Sequence, residues 1–262
     1  MRIAVITDIH SNPVALTAVL DDICSKSIER IYCCGDIVGY YPFPNEVIDL
    51  VRRNSITSVA GSHDLVASGA ESDMSQFSKV AKNAILWTQS AISAENLHFL
   101  RSLPRLIVVD QNILLFHGSI TDEEFPEMIR IKGADDAGRA FRNIENNYPG
   151  CNLAFFGHTH VASVFVNDGA ETIQIQPQNM ALDFSLDRRY LINPGSVCLS
   201  RSEDPRASFV IYDLTDRRIM FYKVEYDNRM VKRAARKARL EEYRILRIGR
   251  RFARRVKNRL TF

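Results

Sequence analysis

The chain opens on an apolar run, Arg2-Ile-Ala-Val-Ile-Thr-Asp8, of the kind that forms a strand buried on both faces of an α/β sheet. Asn12-Pro13 then offers a helix N-cap with proline in the first helical position. Ala15, Leu16, Val19, Leu20 and Ile23 follow at helical spacing, so strand, polar turn and helix open a βαβ unit. The pattern repeats: Arg30 to Cys34 is a second strand closed by Gly35-Asp36, and a loop from Val38 to Pro44 leads into a helix through Val47, Ile48 and Val51. Ile56 to Ala60 reads as a third strand running into Gly61-Ser-His-Asp64.

Residues 65 to 102 are helical in character, with Ala81, Ala84, Ile85 and Thr88 on one face and Ser93 capping a second segment that Pro104 stops. Leu106 to Val109 and Ile113 to Phe116 predict a hairpin around Asp110-Gln-Asn112. After an acidic loop at 119 to 132 and a helix near 134 to 147, the run Ala154-Phe-Phe-Gly-His-Thr-His160 reads as a buried strand emptying into a loop. Short strands are predicted at Ser163 to Asn167, Glu171 to Gln176, Arg189 to Ile192, Ala207 to Tyr212 and Arg218 to Val224. A half rich in βα units followed by a half rich in strands predicts two sheets packed face to face with helices outside.

Charge divides the chain. Residues 229 to 259 hold 14 Lys/Arg and 2 Glu, net +12, and the remainder holds 20 basic and 29 acidic residues, net −9. Val231, Ala235, Ala238, Ile245, Ile248, Phe252 and Val256 fall near helical spacing within this basic tail. Two uses stay open for it: an apolar stripe laid on the domain with its charges solvated, or a surface for nucleic acid or an anionic membrane. The boundaries read as one domain over 1–226 and a basic amphipathic tail over 227–262. No apolar run approaches the ~18 residues that span a bilayer, and the first residues read as a strand rather than a leader. The five cysteines show no CxxC spacing. Cys33 and Cys34 are adjacent on a strand, hence on opposite faces, and read as free thiols. The expectation is a cytoplasmic protein.

Chemistry gathers where the strands end. Of six histidines, only His98 lies away from the end of an apolar run. Asp8, His10, Asp36, His63, His117, His158 and His160 all sit at predicted strand ends, the side of an open α/β sheet on which ligands bind. Mixed carboxylate and imidazole donors suit manganese, iron, zinc, nickel or cobalt better than magnesium or calcium. Two Asp and several His exceed what one tetrahedral ion takes. They suit a pair of ions that activates a water and clamps a phosphoryl group.

In order along the chain, Asp8-Ile-His10, Gly35-Asp36, Gly61-Ser-His-Asp64, His117-Gly118 and Gly157-His-Thr-His160 resemble the five motifs of the calcineurin-like metallophosphoesterases. Val38-Gly-Tyr40, Asn193-Pro-Gly-Ser196 and Asp204-Pro-Arg-Ala207 are similar to the small bacterial and archaeal phosphodiesterase branch. The resemblance implies an α/β fold, a four-layer α/β/β/α sandwich of two mixed sheets with a basic C-terminal helix. It implies two divalent transition metal ions (Mn, Fe, Zn or Ni), Asp8, His10 and His160 holding one, His117 and His158 the other, and Asp36 bridging. By the same resemblance His63 protonates or stabilises the leaving oxygen, with Asp64 orienting its ring, while a bridging hydroxide attacks phosphorus. Ser62 departs from the family pattern, which places an Asn ligand there; a hydroxyl is the shorter and weaker donor, so the second ion is expected to be held less firmly. The expected substrate is a phosphoester, with nucleotides and dinucleoside polyphosphates as candidates. Tyr40, Tyr41 and Phe43 are placed either to stack on a base or to cover the surface, and Arg201 and Arg206 either to contact phosphate or to pair with Glu203 and Asp204. Two further readings remain: a non-catalytic scaffold on the same fold, and a nucleic-acid phosphodiesterase that uses the basic tail.

Overall fold

In the first strand, β1 (Arg2–Ile6), Ala4 and Ile6 enter one apolar cluster, and Ile3 and Val5 enter another. Side chains alternate faces along a strand, so β1 has to be covered on both sides. The computed structural model describes residues 1–175, 177 and 181–240 and shows what covers it. Chain order continues as α1 (Pro13–Cys24), β2 (Arg30–Cys33), α2 (Pro44–Arg53), β3 (Thr57–Ser58), α3 (Ser62–Ser68), α4 (Lys79–Ala91) and α5 (Ala94–Ser102). Then come β4 (Leu106–Val109), β5 (Ile113–Phe116), a 3₁₀ turn at Pro126–Met128, α6 (Ala134–Asn147), β6 (Leu153–Phe155), β7 (Ser163–Asn167) and β8 (Thr172–Ile175). The chain closes with β9 (Ala181–Asp183), β10 (Arg189–Asn193), β11 (Ala207–Asp213), β12 (Arg218–Val224) and α7 (Arg229–Lys237).

Two six-stranded mixed sheets result, ordered β3-β2-β1-β11-β12-β9 and β4-β5-β6-β10-β7-β8. Ile3, Val5, Ile113, Leu115, Phe155, Ile192, Val210 and Tyr212 interleave between them. Ala4, Ile6, Phe209 and Ile211 face the helices α1 to α5 on one outer side, and Leu114, Phe116, Phe165 and Leu191 face α6 on the other. This is the four-layer α/β/β/α sandwich. Within it β1, β2 and β3 run parallel, as do β5, β6 and β10, so each sheet carries three carboxyl ends to one edge.

Local chemistry sets the helix starts. Asn12 and Ser93 cap α1 and α5 as the sequence predicts, accepting hydrogen bonds from the N–H groups of Ala15 and Asn96, and Ser78 caps α4 by accepting from Ala81. The third strand is shorter than its apolar run, because Ala60 N–H leaves the ladder and donates to Pro104 O at 2.8 Å. The helical stretch at 65 to 102 divides into three. Gly69 ends α3 in the left-handed conformation, and the Glu71 and Asp73 carboxylates bind backbone N–H groups in the turn that follows. Strand β9, at the sheet edge, has no counterpart in the predicted elements. Cys33 and Cys34 face opposite layers and are free thiols.

Helix α7 buries Val231 and Ala235 and turns Arg229, Lys232, Arg233, Arg236 and Lys237 outward, so this part of the tail lays its apolar stripe inward. Its expected continuation through Ile245, Ile248, Phe252 and Val256 lies outside the described residues. Among the described residues no helix is long and apolar enough to cross a membrane.

Phe155 is fully buried between the sheets. Phe155→Ala is expected to lower unfolding free energy by about 3–5 kcal/mol through lost burial and a residual cavity, read from denaturant midpoints at constant m.

Candidate metal centre

Six parallel strand ends converge at the common edge. The first sheet delivers Asp8 and His10 after β1, Asp36 after β2, and Ser62, His63 and Asp64 at the start of α3; the second delivers His117 after β5 and His158 and His160 after β6. All nine side chains are buried. Asp8, His10, Asp36, His158 and His160 take the left-handed backbone conformation, with φ between 51° and 66°. That region is sparsely populated by residues other than glycine, though Asp, Asn and His visit it most. Here it turns the chain sharply as each strand ends, and such strain clusters at functional sites. Gly157 is required by close approach: a Cβ there would lie 2.1 Å from Thr7 Oγ1 and 2.9 Å from Asp8 Oδ2.

Backbone carbonyls fix four of the rings. His10 Nδ1 donates to Val38 O (3.2 Å), His117 Nδ1 to Cys34 O (2.7 Å), His160 Nδ1 to Leu199 O (3.1 Å) and His158 Nε2 to Met128 O (3.0 Å). A carbonyl only accepts, so each of these nitrogens carries a proton and the opposite nitrogen faces the centre, as a lone pair wherever the ring is neutral. The carboxylates face these inner nitrogens. Asp8 Oδ1 is 3.3 Å from His160 Nε2 and 3.8 Å from His10 Nε2; Asp36 Oδ2 is 3.2 Å from His117 Nε2 and 3.7 Å from His10 Nε2. Three sets of donor atoms each gather within 4.8 Å: Asp8 with His10 and His160, Asp36 with His117 and His158, and His10 with Asp36 and His63.

The donor set fits a cation. His10 Nε2 and His160 Nε2 face each other at 3.1 Å with both partner nitrogens committed to carbonyls, so two lone pairs point at one space. Asp8 Oδ1 and His117 Nε2 are buried with no hydrogen-bond partner. Burial holds the His10 pKa down at about 3 and those of His158 and His160 well below the usual imidazole value, which keeps these rings neutral, the form that ligates metal. Burial pushes Asp8 up to about 7, opposed by His117 and the Thr7 hydroxyl and reinforced by the charge of Asp36. Burial likewise opposes ionisation of Asp36, yet the facing His117, by its charge and its hydrogen bond, leads the groups that hold it well below the carboxylate range. For His117, burial disfavours the charged form and the facing Asp36 outweighs it, raising the ring to about 10.

His63 is held differently. Its N–H donates to Asp36 Oδ1 at 2.8 Å, but no carbonyl stands behind its ring, and its Nδ1 is buried without a hydrogen-bond partner. The ring packs near Tyr40 (4.8 Å between centroids), His10 (4.9 Å) and Phe77 (5.3 Å). Gly39, at φ 99°, leaves the space the imidazole fills, since a Cβ there would lie 2.3 Å from Nδ1. Asp64 does not orient this ring, contrary to the expectation from the sequence. Its oxygens accept from the N–H groups of Gly61 (2.9 Å), Ile37 (3.1 Å) and Val38 (3.0 Å). That bonding ties the loop after β2 to the start of α3. Burial raises Asp64 to about 7, reinforced by Asp36 and opposed by those three N–H groups. Ser62 Oγ makes a long contact, 3.5 Å, with Asp36 Oδ1.

Some contributors lie outside the ligand set expected from the sequence. The Asn193 amide donates to Gly157 O (2.7 Å) and Thr159 Oγ1 (3.1 Å), and Ser196 Oγ donates to Asp8 O (3.2 Å), so the turn after β10 braces both histidine-bearing loops. The carbonyls behind the rings belong to residues of no particular type. Arg206 is bound to Asp204.

The model of the calcineurin-like phosphoesterase superfamily domain matches residues 1–217. The chain belongs to this superfamily. An uncharacterized protein of Methanocaldococcus jannaschii is 40% identical over 245 residues, 92% of this chain and 94% of that relative. The crystal structure of a metallophosphoesterase from Sphaerobacter thermophilus is 36% identical with a TM-score of 0.80, covering 95% of this chain and 98% of that one. A hypothetical protein of Pyrococcus horikoshii OT3, 20% identical with a TM-score of 0.69, shares the fold over 92% of this chain and 95% of its own. This phosphoesterase is a metal-dependent hydrolase, and its buried Asp and His groups are candidate ligands.

A ligand that binds only the folded state raises stability by mass action, about 2.7 kcal/mol at a hundredfold excess over Kd. Manganese added to chelator-stripped protein is therefore expected to raise Tm by several degrees, and Asp36→Asn is expected to abolish most of that rise. An equal rise in both proteins by scanning calorimetry would place the ion elsewhere.

Proposed function

We propose that the chain hydrolyses phosphoester bonds at a pair of divalent transition metal ions, one held by Asp8, His10 and His160 and the other by His117 and His158, with Asp36 shared. The position of Asp36 carries this reading, since its Oδ2 faces His117 and His10, one from each set. Manganese, iron, zinc and nickel all suit these donors. Such ions, when bound, lower the pKa of water and neutralise charge on phosphoryl oxygens.

The remaining steps belong to the chain's own side chains. The four carbonyl-backed rings keep their lone pairs fixed on the centre without rearrangement. His63, with its ring free of any carbonyl, supplies the proton to the leaving oxygen. Tyr40 packs on both His10 and His63, so the loop after β2 borders the place where a leaving group would sit. Nucleotides and dinucleoside polyphosphates fit that placement, and either a phosphatase or a phosphodiesterase reaction is compatible with it. Ser62 offers the second ion a weaker donor than the amide usual in the family, so its occupancy is expected to be the more sensitive to chelation.

His63→Gln is expected to lower kcat on a model phosphodiester by about 10²–10⁴-fold while leaving metal content per chain unchanged. Loss of an ion in this variant would make His63 a ligand, a role its closeness to His10 and Asp36 also allows.

The outward basic residues of α7 favour one further reading, that the tail holds a nucleic-acid substrate. Phosphate contacts make such binding steeply salt-dependent. Deleting residues 228–262 is then expected to weaken binding of a single-stranded oligonucleotide at least about tenfold at low salt. Unchanged affinity in a fluorescence-anisotropy titration makes the tail structural.

A further inference from the structure

The end of α5 and the link that follows carry the chain from the helices over the first sheet to β4, the edge strand of the second. Residues of this stretch grip α3 at both ends. Pro104 O accepts from Ala60 N–H (2.8 Å) just ahead of Ser62, His63 and Asp64, and Arg101 Nε donates to Ser68 O (2.9 Å) at the last residue of the helix. Arg105 Nη2 lies 4.0 Å from Glu71 Oε2, in the turn after it.

The same guanidinium reaches a loop of the second sheet. Arg105 Nη1 donates to both carboxylate oxygens of Glu127, at 3.3 and 3.1 Å. Glu127 is 3% exposed while Arg105 is half-exposed, so removing the arginine would strand a buried charge. Glu127 is the middle residue of the 3₁₀ turn Pro126–Met128, which is closed by Met128 N–H on Phe125 O (3.1 Å) and tied back by Ser119 N–H on Pro126 O (3.0 Å). Gly118, next to His117, lets this turn lie close, since a Cβ there would be 2.4 Å from Pro126 O. The carbonyl after that of Glu127 is Met128 O, which accepts from His158 Nε2. Other carbonyls behind the rings are placed by other means: Cys34, behind His117, donates its N–H to Ile6 O at the end of β2, and Val38, behind His10, donates its N–H to Asp64. Met128 belongs to no strand, and the charged contact that fastens its turn is Glu127 on Arg105.

We propose that Arg105 is a positioning residue for the metal centre: through Glu127 it holds the Met128 carbonyl behind His158, while its neighbour Pro104 holds the start of α3, so that Ser62 and His158, which come from different sheets, keep one geometry. A carbonyl behind a ligating imidazole fixes its tautomer and its aim, and losing such a support weakens the ion that the ring holds. The proposed two-ion reading decides only which ion is affected; the hold on His158 is read without metal.

Long-range proton–nitrogen correlation spectra of the full chain, isotope-labelled at histidine and stripped of metal, report which ring nitrogen carries the proton. The His158 signals, assigned by their loss in His158→Gln, are expected to show the Nε2-protonated ring in the parent protein and to shift toward the Nδ1-protonated ring in Arg105→Gln, with His117 unmoved. Calorimetric titration with manganese is expected to show two ions, and Arg105→Gln to weaken by at least about tenfold the one that His158→Gln removes, leaving the other unchanged. Arg105→Lys keeps the charge and is expected to recover part of that affinity. Glu127→Gln breaks the pair without stranding a charge and is expected to act in the same direction as Arg105→Gln; it decides the matter if Arg105→Gln unfolds. Arg52→Gln, which removes a pair with Glu95 between α2 and α5, is expected to leave every one of these readings as it is. An unchanged His158 pattern in the folded variants, or a loss shared equally by both ions, makes the pair merely structural and overturns the proposal. A single manganese per parent chain, alongside the His158 shift, overturns the two-ion reading and leaves the hold on His158 standing.

Discussion

Everything in this molecule depends on holding two carboxylates and five imidazoles, all out of water, at one point between two apolar sheets. Desolvation of this kind is costly unless each polar atom has a partner. The chain supplies partners from its backbone: four carbonyls behind four rings, and the His63 N–H on Asp36. Asp8 Oδ1, His117 Nε2 and His63 Nδ1 remain unsatisfied, and a cation at the centre would complete the first two. The polar cluster and the ion it fits are therefore one design, in which neutral rings and orphaned donors are tolerated because a metal can use them.

The sandwich makes that cluster rigid. Parallel strands bring their carboxyl ends to one edge, and left-handed residues at those ends turn the side chains across it. A strained turn persists only when its surroundings over-determine it. Here the strands on either side are locked by three layers of apolar packing, and Asp64 and Asn193 bind the loops to one another. Asp64 thus acts on the shape of the site through the backbone, while His63 Nδ1 is left without a hydrogen bond.

Around this core the charge is asymmetric. Buried acids line the centre, and Tyr40 closes one side against His10 and His63. Chemistry at the phosphoryl group and recognition of the rest of the substrate therefore fall to different parts of the chain: strand ends for the first, loops for the second. Loops can vary without disturbing the sheets, which is how one fold serves many substrates.

The sequence by itself determined the sandwich and the candidate ligands. Apolar runs of strand length ended in Asp or His, and alternation of faces required cover on both sides. These are local signals, because a strand's burial and the residue at its end are written within a few positions of each other. Tertiary structure decided what depends on residues far apart in the chain. It shortened the third strand where Ala60 turned to Pro104, and it gave Asp64 to the backbone of Ile37 and Val38 rather than to its neighbour His63. It also brought the Met128 carbonyl, from an acidic loop, to the side of His158. No pattern marks a carbonyl as the support of a histidine, since every residue has one; only folding decides which of them stands behind a ring.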